Sequence, residues 1–134
     1  MSRRALVPFV LVLLVGLAGC QGARRSPSGF RLPPGDAAAG KQAFVDLKCY
    51  TCHSVKGEEM PAATAAQVIE LGGNKVLPPT DGDITTDIIM PSSHFASEWK
   101  GEGRSPMPDY TRTMTVRQLS DLVAFLQSKY RVGL

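Results

Sequence analysis

Apolar positions along this chain fall into distinct patterns, and each predicts a different element. From Leu6 to Ala18 they form a nearly uninterrupted run. That run is shorter than the ~20 residues a helix needs to cross a bilayer comfortably. Behind Arg3 and Arg4 it reads as the core of a secretory signal. Far downstream, Val116, Leu119, Leu122, Val123, Leu126 and Tyr130 recur at helical spacing. Thr115 with Gln118 makes a capping box ahead of them, so a helix is expected to start there. The stretch between is more broken. Asp36 is suited to cap a helix reaching about Lys48, with Gly40, Phe44 and Leu47 on one face. Thr64 with Gln67 fits a second capping box and Gly72 a stop, which predicts a short helix over 65–71. Asp83 to Met90, closed by Pro91, predicts another, and Ser93 to Lys100 a weaker one. Nothing reads as a set of paired strands, and no segment repeats. The expected fold class is all-α, small and rich in loops.

Residues 21–35 have neither period. Gly, Pro, Ser and Arg dominate them, as in a tether. The expected division is a signal at 1–19, a cysteine and tether at 20–35, and one domain at 36–134. A total of 134 residues leaves little room for a second domain. With 43% apolar and 20% charged residues, a wholly disordered chain is not expected. The formal charge of +3 is mild and falls by two without Arg3 and Arg4. No basic run is interleaved with aromatics, so nucleic acid is not an expected partner. Glu58, Glu59, Asp81, Asp83 and Asp87 give the middle an acidic cast, read as a solvated face.

Cysteine changes the picture most. Three cysteines cannot all pair within one chain. Two of them stand in Cys49-Tyr50-Thr51-Cys52-His53, a Cys-x-x-Cys-His that reads as covalent haem attachment. Two thiols on one turn can add to the two vinyl groups along one haem edge. The histidine that follows can then give iron an axial imidazole. A redox Cys-x-x-Cys would call for a β-α-β setting, which the pattern lacks. A structural zinc would need a fourth ligand close by. A Cys49–Cys52 disulfide would leave His53 without a purpose. The short helices and the breaks at Gly72-Gly73, Pro78-Pro79, Pro91, Pro106 and Pro108 suit a domain stapled by a cofactor. For the opposite side of the iron the candidates are Met60, Met90, Met107, Met114 and His94. Met107 is favoured because Pro106 and Pro108 fix its backbone, and a thioether favours ferrous iron. Trp99 and Tyr110 are the aromatics best placed by sequence to line a haem crevice. His94 reads as a solvated surface residue.

Two resemblances follow from these residues. Leu17-Ala18-Gly19-Cys20 resembles the lipobox of bacterial lipoproteins. That implies cleavage before Cys20 and its acylation, anchoring the domain to the cell membrane or outer membrane on the periplasmic side. Residues 36–134 resemble the class I monohaem cytochromes c. The carrying features, in order, are Gly40 and Phe44 ahead of the Cys-x-x-Cys-His, Met107-Pro108-Asp109-Tyr110, and Leu122-Val123-Ala124-Phe125-Leu126. The resemblance implies one haem c bound through Cys49 and Cys52, with His53 and Met107 on iron. It also implies a first and last helix that cross where Gly40 lets an aromatic such as Phe125 approach. A proline carbonyl is implied to accept the second N–H of His53. Pro78 or Pro79 stands nearest to that role, in a Gly-Gly-Asn-Lys-Val-Leu-Pro-Pro context that departs from the family's Gly-Pro.

The expected function is single-electron transfer without catalysis. The partners would be redox proteins or a membrane respiratory complex, met transiently or as a permanent subunit. An open-site haem protein, either a gas sensor or a small peroxidase, is the alternative if Met107 does not bind iron. A lipoprotein in which haem serves only as a folding staple is a third.

Overall fold

A computed structural model describes residues 31–93 and 103–133. The signal, Cys20, most of the tether, His94, Trp99 and the helix expected over 93–100 therefore lie wholly or mainly outside the described residues. Among the described residues there are three α-helices: α1 (Ala37–Asp46), α2 (Asp81–Ile89) and α3 (Val116–Gln127). Four three-residue strands accompany them: β1 (His53–Val55), β2 (Ile69–Leu71), β3 (Gly73–Lys75) and β4 (Tyr130–Val132). The expectation of no paired strands is corrected, since three helices share the fold with two short parallel ladders. Among the described residues no helix is long and apolar enough to cross a membrane.

Local chemistry explains where the helices begin. Asp36 caps α1 by accepting the N–H groups of Ala38 and Ala39 at 2.7 and 3.0 Å. α2 starts two residues earlier than its predicted Asp83. Thr80 is the cap and Asp83 is its capping-box partner, each bonding the other's main chain. Thr115 and Gln118 close the same reciprocal box at α3. The helical stripe of α3 was expected to include Tyr130, but the helix ends at Gln127 and Tyr130 opens β4.

The core forms where α1 crosses α3. Gly40, Ala43 and Phe44 are the buried face of α1, and Phe44 meets Phe125 edge-on with ring centroids 5.9 Å apart. Gly40 is indispensable there. A β-carbon on it would lie 2.0 Å from the Asp121 carbonyl oxygen and 2.7 Å from Phe125 Cβ. The buried Asp121 carboxylate accepts the Asp36 N–H at 2.7 Å, tying the start of α1 to α3. Ile84 and Ile88 of α2 complete the core with Val55, Leu119, Leu122, Val123 and Leu126.

The helix expected over 65–71 is absent, and its backbone shows why. The N–H groups of Thr64 and Ala65 donate to the Thr51 carbonyl at 3.0 and 2.9 Å. Ile69, Glu70 and Leu71 then run parallel to His53, Ser54 and Val55, in that register. Gly72 and Gly73 follow at φ of 93° and 87°, a left-handed bend that L side chains resist. The bend carries the chain from the first ladder into the second, where Gly73 pairs with Tyr130 and Lys75 with Val132.

Candidate functional site

The Cys-x-x-Cys-His segment begins at a strained residue. Lys48 leaves α1 in the left-handed conformation, φ 59°, which costs a non-glycine residue on the order of 1 kcal/mol. The next three residues, Cys49–Thr51, form one turn of 3₁₀-helix. Thr51 Oγ1 and N both donate to the Lys48 carbonyl, at 2.8 and 3.1 Å, and fix that turn. Both cysteines are free thiols carried by this one turn. His53 follows at once as the first residue of β1, so its backbone is held by the ladder to β2.

The segment forms one wall of a largely apolar cavity of about 390 Å³. Cys49, His53, Ile69 and Leu71 lie on that wall. Met107, Tyr110 and Met114 come from the segment before α3, and Leu122 and Leu126 from α3 itself. Phe44 and Leu47 of α1, Ile84 and Ile88 of α2, and Pro79 also face it, with Lys75, Leu77, Glu70, Asp83 and Asp87 around them. Of the five sixth-ligand candidates, Met107 and Met114 line this space. Met60 packs against the core elsewhere, Met90 is exposed, and His94 is outside the described residues.

The Met107 segment is tied down from several sides. The Met107 N–H reaches Ser105 Oγ at 3.2 Å, and the Ser105 N–H reaches Ser92 Oγ at 3.1 Å. Asp109 Oδ1 accepts from Thr111 N and Oγ1 at 2.9 and 2.6 Å, making a closed turn. Those bonds hold the Asp109 carboxyl below its ordinary value. Tyr110 does the long-range work. Its hydroxyl donates to the Leu47 carbonyl at 2.9 Å, joining the segment to the end of α1 just ahead of Cys49. Burial pushes the Tyr110 phenol up to about 12, and the nearby Cys49 sulfur adds to that.

The electrostatics are those of a dry site. Burial raises the Cys49 thiol to about 11, outweighing the opposing effect of Tyr110. Burial also lowers the proton affinity of His53, while the Ile69 main chain pulls the other way. His53 Nδ1 is buried with no hydrogen-bond partner. Pro79 lines the cavity, but its carbonyl accepts from Gln127 Nε2 at 2.7 Å. Pro78 is half-buried beside it.

Sequence reading missed two residues here. Gln127 is 7% exposed, a buried amide at the end of α3 that nothing local in the sequence marks. Glu58 was read as part of a solvated acidic face. Its carboxylate instead bridges Lys41 of α1 at 2.6 Å and Lys129 after α3 at 2.5 Å.

These residues suit a haem better than the rival cofactors. Two thiols on one turn, with Cys49, the His53 imidazole and the Met107 thioether on the wall of one apolar cavity, are the donor set of a covalently held haem. No cluster of three or more His, Cys, Asp or Glu suited to a metal ion exists among the described residues, which disfavours the structural-zinc reading. The class so defined is a small haem-binding protein whose cavity lies beside the packed α1 and α3, lined by residues of all three helices, the Cys49–His53 segment and the Met107 segment. The chain belongs to the cytochrome c family, whose model, Cytochrome c, matches residues 37–129. No curated protein and no solved structure matches it. Membership brings haem binding and electron transfer, with haem c attached through cysteines, and Cys49 and Cys52 are the cysteines of the motif. Members are typically electron carriers and not enzymes.

Proposed function

We propose that this protein is a membrane-anchored monohaem electron carrier with His53 and Met107 as axial ligands, tethered through an acylated Cys20 and facing the periplasm. The observation that carries the reading is that Cys49, His53 and Met107, 58 residues apart at the extremes, line one apolar cavity. When bound, haem c supplies a one-electron ferric/ferrous couple. The chain's own residues do the rest. Cys49 and Cys52 hold the group on one turn, and the β1 backbone orients the His53 ring. Ser105, Asp109 and Tyr110 keep the Met107 thioether where it is. Leu71, Ile84, Ile88, Leu122 and Leu126 exclude water, so a change of charge meets a low, fixed dielectric response. Two permanent ligands leave no vacancy for substrate, which favours transfer over catalysis. Exposed Val76 and Leu77, the latter 88% accessible, stand beside Lys75 near the cavity mouth and offer a small apolar contact for a transient redox partner. The anchor keeps the domain near membrane-bound donors and acceptors.

Spectra of the matured protein test the ligand set. The ferric protein should show a thioether-to-iron charge-transfer band that Met107→Ala abolishes. High-spin iron that readily takes carbon monoxide in the unmutated protein would instead favour the open-site sensor or peroxidase. For the anchor, Cys20→Ala should move the protein from the membrane to the soluble fraction, and its retention on membranes would refute acylation at this residue.

A further inference from the structure

Residues 31–35 run along α3 as a strap that is held at three points. A β-carbon on Gly35 would lie 2.1 Å from the Ser120 carbonyl oxygen, so the strap touches the helix backbone. Arg117 Nη1 donates to the Pro34 carbonyl at 3.0 Å, and the Asp36 N–H donates to Asp121 at 2.7 Å. The strap lies across α2 from the haem cavity. α2 turns Gly82, Thr85 and Ile89 toward a second cavity of about 600 Å³, walled by the strap, and Asp83, Ile84, Asp87 and Ile88 toward the haem cavity. At 3.6 residues per turn those two sets fall on opposite faces of the helix. α3 is divided likewise, with Val123 and Ala124 on the strap side and Leu122 and Leu126 on the haem side. Charge follows the same division. Glu70, Asp83 and Asp87 border the haem cavity against one cation, Lys75. From Val76 to Ser93 the chain holds three aspartates and no lysine or arginine. The strap side carries Arg31 and the exposed Arg117, with Val116 next to it 60% exposed. The acids there are engaged or offset: Asp36 caps α1, Asp121 is buried, and Asp81 stands in the positive first turn of α2. Ten residues, Arg24 and Arg25 among them, separate Cys20 from Arg31. A coil of that length averages about 16–19 Å end to end, so an anchor at Cys20 holds the strap side close to lipid.

We propose that the strap and the first turn of α3 form a docking face for an anionic lipid surface, with Arg31 and Arg117 over the headgroups, and that the mouth of the haem cavity is thereby turned toward water. Negative headgroups attract those arginines and repel the carboxylates at the mouth, and both effects act within a Debye length of ~8 Å. A redox partner must then reach the mouth with a domain that stands in water. The inference rests on acylation of Cys20, as proposed above.

The test uses the acylated holoprotein, added to preformed vesicles of phosphatidylcholine with or without phosphatidylglycerol. Val116→Cys and, in a second protein, Val76→Cys each supply one free thiol, because the other three cysteines are bonded to lipid or haem. On the anionic vesicles, alkylation of the thiol at 116 by a water-soluble maleimide should slow several-fold, while that at 76 keeps its rate. A maleimide carried on a lipid headgroup should couple to 116 in preference to 76. Arg31→Gln or added salt should restore the rate at 116 with the protein still on the vesicles. Arg117 also braces the strap, so it is left in place. Equal protection of 116 on neutral and anionic vesicles overturns the proposal, since a second copy or the tether alone would then cover this face. Protection of 76 in place of 116, or of neither, overturns it as well. Acylation is read separately, from the mass of the purified protein. If the acyl chains are present and 116 stays open, the docking face alone fails. If they are absent, the anchor fails and this inference falls with it.

Discussion

Gly40 shows how much a single missing methyl can decide. Its α-carbon rides against the Asp121 carbonyl and the Phe125 side chain, and the obstruction to any β-carbon is largely backbone. Gly40→Ala should destabilise the holoprotein by about 1–3 kcal/mol or more, read as a fall in thermal midpoint. An unchanged midpoint would mean that the helices can part more easily than their packing suggests. Tyr110→Phe keeps the ring and removes only the bond to Leu47. It should cost about 1 kcal/mol and loosen the Met107 segment, which, with the proposed Met107 ligation, the thioether charge-transfer band would register as a loss of intensity. Gly40, Phe44 and Phe125 were legible in the sequence because an ordered set of motifs named them. Glu58 and Gln127 were not. The partners of Glu58 lie 17 and 71 residues away and that of Gln127 lies 48 away, and no local pattern announces such a pairing.

At the scale of elements, what a few neighbouring residues decide was readable and what distant partners decide was not. The starts of α1 and α3 are written in Asp36 and in the Thr115–Gln118 box, because a cap is chemistry within four residues. Thr115→Ala should therefore cost about 1 kcal/mol in chemical denaturation, with little effect on the visible spectrum. The Thr64–Gln67 pattern looked equally good. It failed because the Thr51 carbonyl took the Thr64 N–H that the Gln67 side chain would have closed the box on, and bound the Ala65 N–H as well. Val68-Ile69-Glu70-Leu71 does carry β-branched residues, but three-residue strands are too short for alternation to stand out. Their partners also lie far along the chain, β2 beyond a long loop from β1 and β4 beyond both α2 and α3 from β3. The cavity shares this division. Cys49, Cys52 and His53 are contiguous and were plain, whereas its Ile69 and Leu71 wall exists only once the ladder has formed.

Across the whole molecule, Glu58 is a joint between the two ends of the domain. Lys129, which also sits 5.2 Å from the Phe125 ring centre, and Lys41 together hold its carboxyl down to about 2, from an ordinary 4.5. A depressed carboxyl adds stability that is fully present above its unfolded value and is lost as pH falls through the folded one. The acid limb of stability should therefore steepen between about 4.5 and about 2. Glu58→Gln should flatten the thermal midpoint across that window while leaving its slope near neutrality unchanged. An identical acid limb in the variant would show that the bridge contributes nothing in solution.

The crossing of α1 with α3 also fixes an order of events in time. The contact between Asp36 and Asp121 spans 85 residues, so most of the chain must exist before it can form. A polypeptide emerging from its amino end holds the Cys49–His53 turn long before it owns Met107, Leu122 or Leu126. Closing so long a loop is slow as well. The two thiols and the imidazole thus stay open to whatever must reach them throughout synthesis, and the last helix to arrive is the one that shuts them in.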